Sequence, residues 1–389
     1  MTRILALLAL SDQPVFRRMP PCVRQSVFRP IGEKICTARA LKKLRFEWRH
    51  IMAHRLRWLL AVGLLSANLF AIFLQRAPGQ NKSSATVTPA DYLKWRNEFK
   101  NWGRWGAADQ RGASNLITAE KSLSAVRLVK NGIVISLAHA VPQKADPEVA
   151  EGSVFHRITE NIGPFNTIDR YQVSYHGLAL AHMDAFCHFF LEGKMYNGYS
   201  VADNLTPETG CKKDDIMSWR DGVVTRAVLY DMPQLKGVDW IEPGTPITRA
   251  DLEAWEKKSG VKAGPGDVIM LYVGRWKRRT AKGPYPNAIP GYFADVIPLL
   301  KEREVAFVGH DFNIDWSPRP GWGEAEGIPV NPIHQAVLNW MGVGIVENLD
   351  LERAVETARR LKRYEFMLTF APLPVEGGTG SPLNPLAVF

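Results

Sequence analysis

The segment Tyr175-His176-Gly177-Leu178-Ala179-Leu180-Ala181-His182-Met183-Asp184-Ala185-Phe186-Cys187-His188 places His182, Asp184 and His188, three groups able to bind a metal or move a proton, within seven residues. If the chain is extended at 182–184, His182 and Asp184 leave the same face, because side chains alternate with a period of two. If it then turns helical, His188, four positions beyond Asp184, comes back to that face. Imidazole and carboxylate converging in this way suit Zn2+ or Mn2+, the carboxylate favouring the harder ion. Hydrogen-bonded structural histidines can share this spacing, so partners elsewhere in the chain must decide.

Two further stretches offer partners. Asn331 and Pro332 read as the start of a helix that Gly342 stops, which puts His334 in the first turn. The strand Val343-Gly344-Ile345-Val346 then delivers Glu347 at its carboxyl end, where α/β proteins commonly place functional groups. A third run, Val305-Ala306-Phe307-Val308-Gly309, ends in His310-Asp311; Asp311 is read either as a carboxylate that orients a site histidine or as a loop cap.

The elements that must position these groups alternate in type. Strand-like runs are expected at Ile133–Leu137, Val223–Tyr230, Val268–Tyr272, Val305–Val308, Val343–Val346 and Tyr364–Phe370. Helices are expected at Pro89–Asn101, Thr118–Asn131, Arg249–Ser259, Tyr292–Arg303, Pro332–Met341 and Leu351–Leu361. In the second of these Thr118 is the expected N-cap, with Leu123, Val126, Leu128 and Val129 facing inward. Such alternation argues for an α/β body, and no internal repeat or heptad run points to a solenoid or coiled coil.

With these pieces in place a resemblance emerges. His182–His188 resembles the metal motif of the cyclase / kynurenine formamidase family, which reads approximately H-x-G-T-H-x-D-x-P-x-H. His334 followed by Gly344-Ile345-Val346-Glu347-Asn348-Leu349 resembles the family's later His…Glu pair. Pro372-Leu373-Pro374…Gly377-Gly378-Thr379-Gly380-Ser381-Pro382 resembles its C-terminal signature, and Trp102-Gly103-Arg104-Trp105-Gly106…Asn115-Leu116-Ile117-Thr118 resembles the N-terminal signature of its longer bacterial members. The match runs over roughly residues 95–389. It implies a swivelling β/β/α fold and hydrolysis of an amide, formamide or lactam, N-formylkynurenine being the family's best-known substrate and isatin-type lactams another. By position it implies His182, Asp184, His334 and Glu347 as ligands of one or two Zn2+ or Mn2+ ions, with Asp184 bridging if there are two. His188 would be the general acid/base beside a metal-activated water. It also implies a homodimer or higher homo-oligomer.

The departures are as informative. The family's first ligand, four residues before His182, is a histidine, and here that position is Leu178; family Thr becomes Ala181 and family Pro becomes Phe186. Leucine cannot bind metal. Either His176 reaches in from two residues earlier, or the site holds one ion less tightly, or activity is lost. Trp102, Trp105 and Phe186, with Phe155 and Phe165, are candidate walls for an aryl-shaped substrate, although core packing is the readier role for any one of them. Lys194-Met195-Tyr196-Asn197-Gly198 reads as a turn that closes the site.

Composition bounds the rest. The formal charge of +10 lies in residues 1–57, which hold 13 Lys/Arg against 3 Asp/Glu; residues 58–389 carry 36 of each. A neutral body gives no footing for nucleic acid, which needs a basic stripe on the binding domain. Residues 58–74 are uncharged and mostly apolar and read as an export signal or membrane anchor, preceded by the basic extension 1–57 and followed by a linker at 75–88. Met52 would give a conventional short leader before this run, so residues 1–51 read as an extension. The catalytic body is then 89–389, on the periplasmic side of a bacterial membrane if 58–74 is used and cytoplasmic otherwise. Cys187 and Cys211 are the body's cysteines; one bridge is conceivable on export, but a small buried residue is the expected role of Cys187. Zincin, serine hydrolase, phosphate-loop and dinucleotide motifs are absent from the sequence. Two rivals to the hydrolase remain: a cyclase or dehydratase on the same scaffold, and an inactive metal-binding protein at a membrane.

Overall fold

The computed structural model describes residues 87–149, 154–285, 288–318 and 328–389. The basic extension 1–57, the apolar stretch 58–74 and nearly all of the linker fall outside them. In chain order the strands are β1 (Val134–Ser136), β2 (His156–Ile162), β3 (Asn166–Gln172), β4 (His182–Asp184), β5 (Leu205–Thr206), β6 (Gly210–Cys211), β7 (Val223–Asp231), β8 (Val268–Tyr272), β9 (Phe307–His310), β10 (Gly344–Glu347), β11 (Glu365–Phe370), β12 (Gly380–Pro382) and β13 (Leu386–Val388). Nine of them form one mixed sheet in the order β1-β13-β11-β7-β8-β9-β10-β4-β12.

The middle of that sheet is parallel: β7 pairs with β8, β8 with β9 and β9 with β10 in the same direction. Those strands are near-continuous apolar runs, and β8, β9 and β10 are buried at every position, as expected where helices cover both faces. The helix Arg249–Ser259 shows how one such cover is fixed. Thr248 and Asp251 form a capping box at its start, and inside it Trp255 donates its indole N–H to Leu229 O at 2.7 Å. Parallel pairing has a functional consequence: the carboxyl ends of β9 and β10 come out on one edge, with His310 and Glu347 at their tips. On the far side β4 runs antiparallel between β10 and β12.

Sequence expectation and structure agree on this alternation and differ in detail. The helix after Thr118 is capped by that residue as expected but stops at Val126. Its Ser122 reaches Val224 O at 2.7 Å and Ala125 is buried, which turns Leu123 and Val126 outward to solvent, against expectation. The expected helix 292–303 starts as a 3₁₀ turn, Ala294–Val296, before Ile297–Arg303 becomes α-helical. Arg275–Lys282 is a helix the sequence reading lacks, as is the hairpin β2–β3, which is solvent-exposed at every residue. No helix among the described residues is long and apolar enough to cross a membrane.

Candidate metal centre

β4 delivers His182 and Asp184 to one face, as the period-two reading requires. Its register with β10 sets Glu347 directly opposite His182 and Ile345 opposite Asp184, so Glu347 shares that face. The helix that begins at Pro332 brings His334 from the same side: its Nε2 lies 2.5 Å from Glu347 Oε1 and 3.7 Å from Asp184 Oδ2. From the other side His176 Nδ1 lies 3.0 Å, and His182 Nε2 3.5 Å, from Asp184 Oδ1. Two ligand sets result, His176/His182/Asp184 and Asp184/His334/Glu347, each with its donor atoms within 4.8 Å of one another. Asp184 belongs to both through its two oxygens.

The donor atoms fit divalent ions. Glu347 Oε2 is buried with no hydrogen-bond partner, and His176 Nδ1 and Asp184 Oδ1 have only each other and His182 within reach, a costly arrangement for protein alone and an ordinary one for metal ligands. The opposite ring nitrogens are engaged. His182 Nδ1 faces Leu180 O at 2.9 Å, His334 Nδ1 faces Asp315 Oδ2 at 2.5 Å, and His176 Nε2 faces Thr379 Oγ1 at 3.0 Å. Such contacts set the ring orientations and turn the inward nitrogen of each towards its ligand set.

Electrostatics follow from the same packing. Burial would raise the Asp184 carboxyl, but hydrogen bonding to His176 and the neighbouring His182, His188 and His334 outweigh it and hold the group well below its ordinary range. Burial likewise opposes protonation of His334, yet Glu347 and Asp315 lift that imidazole above its usual value. His188 goes the other way. Desolvation, reinforced by His176, His334 and His182 against the pull of Asp184, lowers it to about 4. Its ring lies flat on His176, centroids 3.9 Å apart at 8°, at the C-terminal end of the 3₁₀ turn Phe186–His188. Phe189 then covers His334 at 4.9 Å. Burial and the surrounding histidines thus keep His188 in its neutral form beside the ligand sets.

Where the motif has a ligand at residue 178, it is His176, two residues earlier, that lies within reach of Asp184. Leu178 instead lines a cavity of about 260 Å³ with Glu148, Tyr285 and Phe312. Other expectations need correction. The carboxylate that orients a site histidine is Asp315. Asp311 accepts the backbone N–H groups of Val273, Gly274 and Arg275 at 3.0 Å each, anchoring the start of the helix Arg275–Lys282. Asp315 also receives the N–H groups of Ile333 and His334, replacing Asn331 as the cap of that helix. Phe186 is no substrate wall. In the tight three-residue turn it is wholly buried, its ring packed on Tyr196 and Trp219. Trp102 donates to Asn339 O and packs on Gly198, and Trp105 lies under Arg104; neither is in contact with the ligand sets among the described contacts. Phe155 sits on Tyr171 and Phe165 is 96% exposed beyond β2, so the aromatic wall does not assemble. The Lys194–Gly198 turn carries a buried Met195 and Tyr196 and packs into the core. Cys187, expected as a small buried residue, is bonded to Cys211.

The chain is similar to several known proteins. The family model described as "Putative cyclase" matches residues 108–315. A solved structure described as a novel cyclase is similar at a TM-score of 0.67 and 30% identity, covering 76% of this chain and 99% of its own. Weaker likenesses include isatin hydrolase A from Labrenzia aggregata (TM-score 0.47, 20% identity, 69% of this chain and 98% of that one). An isatin hydrolase bound to thioisatinate is similar at 0.46 and 18%, covering 70% and 99%. No curated protein sequence matches the chain.

Proposed function

Because the chain belongs to the cyclase family, we propose that it is a metal-dependent hydrolase of a carbon–nitrogen bond in an amide, formamide or lactam, arylformamidase-like in reaction class. One observation carries this reading: two ligand sets share Asp184, and a neutral His188 lies against one of them. A divalent ion held there, Zn2+ or Mn2+, would polarise a carbonyl and make water acidic enough to react near neutral pH.

The chain's own residues account for the remaining work. His182 presents the lone pair of Nε2 because Leu180 O engages its Nδ1, and Thr379 Oγ1 steadies the ring of His176 through Nε2. His188, neutral at pH 7, takes a proton from the attacking water and returns it to the departing nitrogen. The Phe189 ring over His334 shields that side of the site from water. The rival of an inactive metal binder drew on Leu178 and the apolar leader, and the reach of His176 to Asp184 counts against the first of these. A small amide or lactam is the proposed partner. The hairpin β2–β3, with Ile158, Ile162 and Ile168 exposed on one face, is the proposed surface for self-association, to be tested by sedimentation. The Cys187–Cys211 bond supports an oxidising compartment, in line with export through 58–74.

The test is metal analysis of the purified protein followed by a screen of formamides, lactams and lactones. Near-stoichiometric Zn or Mn is expected, and His188→Ala should abolish turnover with metal content retained. A protein without either metal would overturn the hydrolase reading, and loss of metal in His188→Ala would make His188 a ligand.

A further inference from the structure

His176 and His182 are six residues apart where the family motif has four, so two extra residues must be absorbed between two side chains of one ligand set. The chain does this at Gly177, whose φ of +109 suits glycine and is strained for other residues. A turn with a glycine at its tip has little reason to hold one conformation, and a ligand hung on it would be placed loosely. Here both carbonyls after His176 are caught. The Asn348 side-chain amide donates to Gly177 O, and Arg275 Nη2 donates to Leu178 O at 3.1 Å.

The two catching side chains act as one piece, since Arg275 Nη1 donates to Asn348 Oδ1 at 2.7 Å. Arg275 has no exposed surface. Its guanidinium lies 4.4 Å from the centre of the Trp276 ring and 4.2 Å from that of Phe312. Glu148 Oε2 balances its charge at 2.7 Å, and Glu148 is also held by Arg279 and the Tyr285 N–H. Burying an arginine is expensive, the more so here because its Nε has no hydrogen-bond partner, so a plain core position would be better filled by an apolar residue. Asn348 in turn follows Glu347 directly. The clamp therefore joins the turn carrying His176 to the strand end carrying Glu347.

We propose that Arg275 and Asn348 are positioning residues that hold the Gly177–Leu178 turn so that His176, and not residue 178, completes the first ligand set. The proposal rests on the metal-hydrolase reading. It concerns the His176/His182/Asp184 set and leaves the Asp184/His334/Glu347 set unchanged.

The experiment titrates full-length protein with Mn2+, following stoichiometry by elemental analysis and ion–ion coupling by electron paramagnetic resonance. Wild type should bind two ions and give a coupled-pair signal. Arg275→Met keeps the packing against Trp276 and Phe312 and leaves Glu148 paired with Arg279. It should weaken one ion about 10- to 100-fold, the scale for groups that orient metal ligands. The pair signal should give way to that of an isolated ion, while the second affinity stays at the wild-type value. His176→Ala should give the same signature, more strongly. Should Arg275→Met not fold, Arg275→Lys and Asn348→Ala make the same test, each removing carbonyl contacts with less disturbance. Folded variants that bind both ions as wild type does overturn the proposal, and so does equal weakening of both ions, the mark of a merely structural role. Wild type that binds no Mn2+ or Zn2+ overturns the hydrolase reading itself.

Discussion

Asp214 makes the chain's stability depend on pH in a direction opposite to that of most carboxylates. It is wholly buried, and neither carboxylate oxygen has a hydrogen-bond partner. Desolvation, with Asp109 and Asp215 close by and only Lys213 opposing, pushes the group up to about 8 from an ordinary 3.8. Between those two values the folded chain keeps a proton that the unfolded chain has lost. Stability from this group is thus complete below 3.8 and declines as pH rises towards 8. Each pH unit in the window costs about 1.4 kcal/mol, so moving from pH 5 to pH 7 removes up to roughly 2.7 kcal/mol, less as water reaches the site. Asp214→Asn abolishes the dependence at nearly constant shape. The backbone there has a φ of +59, a conformation asparagine accepts readily, and the contacts of Asp214 N–H with Gln110 and of Asp214 O with Cys187 N–H are main-chain and survive. Urea unfolding of both proteins at pH 5, 6 and 7 measures the effect. The variant's advantage should grow by about 1–3 kcal/mol across that range. An advantage that is constant, or that shrinks with rising pH, would refute the assignment of a protonated Asp214.

Two further predictions concern what holds the site in place. Asp315→Ala removes the acceptor of His334 Nδ1 and the cap on Ile333 and His334. It should weaken metal binding at the second ligand set about 10- to 100-fold by calorimetric titration, and an unchanged affinity would show that Asp315 does not orient His334. Reducing Cys187–Cys211, 24 residues apart, should lower stability by about 3 kcal/mol in urea melts, with Cys211→Ser giving the same loss; identical melts with and without reductant would contradict the bond.

What could be read from sequence follows the range of the forces involved. His182, Asp184 and Glu347 were legible because strand alternation and a strand end are local rules, and the β4–β10 register satisfies both. The chain reversal at Gly342 was legible for the same reason: glycine in the left-handed region ends the helix. Asp315 was missed because its partner His334 lies 19 residues on, and no periodic pattern links them. Asp311 drew attention because it follows His310, yet the N–H groups it caps belong to 273–275 and are brought to it by tertiary pairing. Arg275-Trp276-Lys277-Arg278-Arg279 reads locally as a solvated basic run. The buried position of Arg275 depends on partners far off in the chain, Glu148 lying 127 residues away and Asn348 73. Cys211 is brought back to Cys187 from within the short β5–β6 hairpin, a pairing that spacing does not specify.

Leu178 puts that distinction to a direct test. By motif position a histidine at 178 would restore the family ligand, so Leu178→His should raise metal affinity and should rescue His176→Ala. The structure argues for the opposite outcome. Residue 178 lies on the wall of the cavity shared with Glu148, Tyr285 and Phe312, and its carbonyl is fixed by Arg275. Bringing its side chain to Asp184 would require releasing that carbonyl and the Asn348 contact to Gly177, at a cost of about 1.5–3 kcal/mol for a hydrogen bond from a charged donor. His176, already 3.0 Å from Asp184 Oδ1, needs no such rearrangement. Leu178→His should therefore bind two ions with wild-type affinity, and the double variant with His176→Ala should bind no more than His176→Ala alone. Recovery of the second ion in the double variant would mean that the turn is free to exchange one histidine for the other, and that the motif's spacing, not the clamp, selects the ligand.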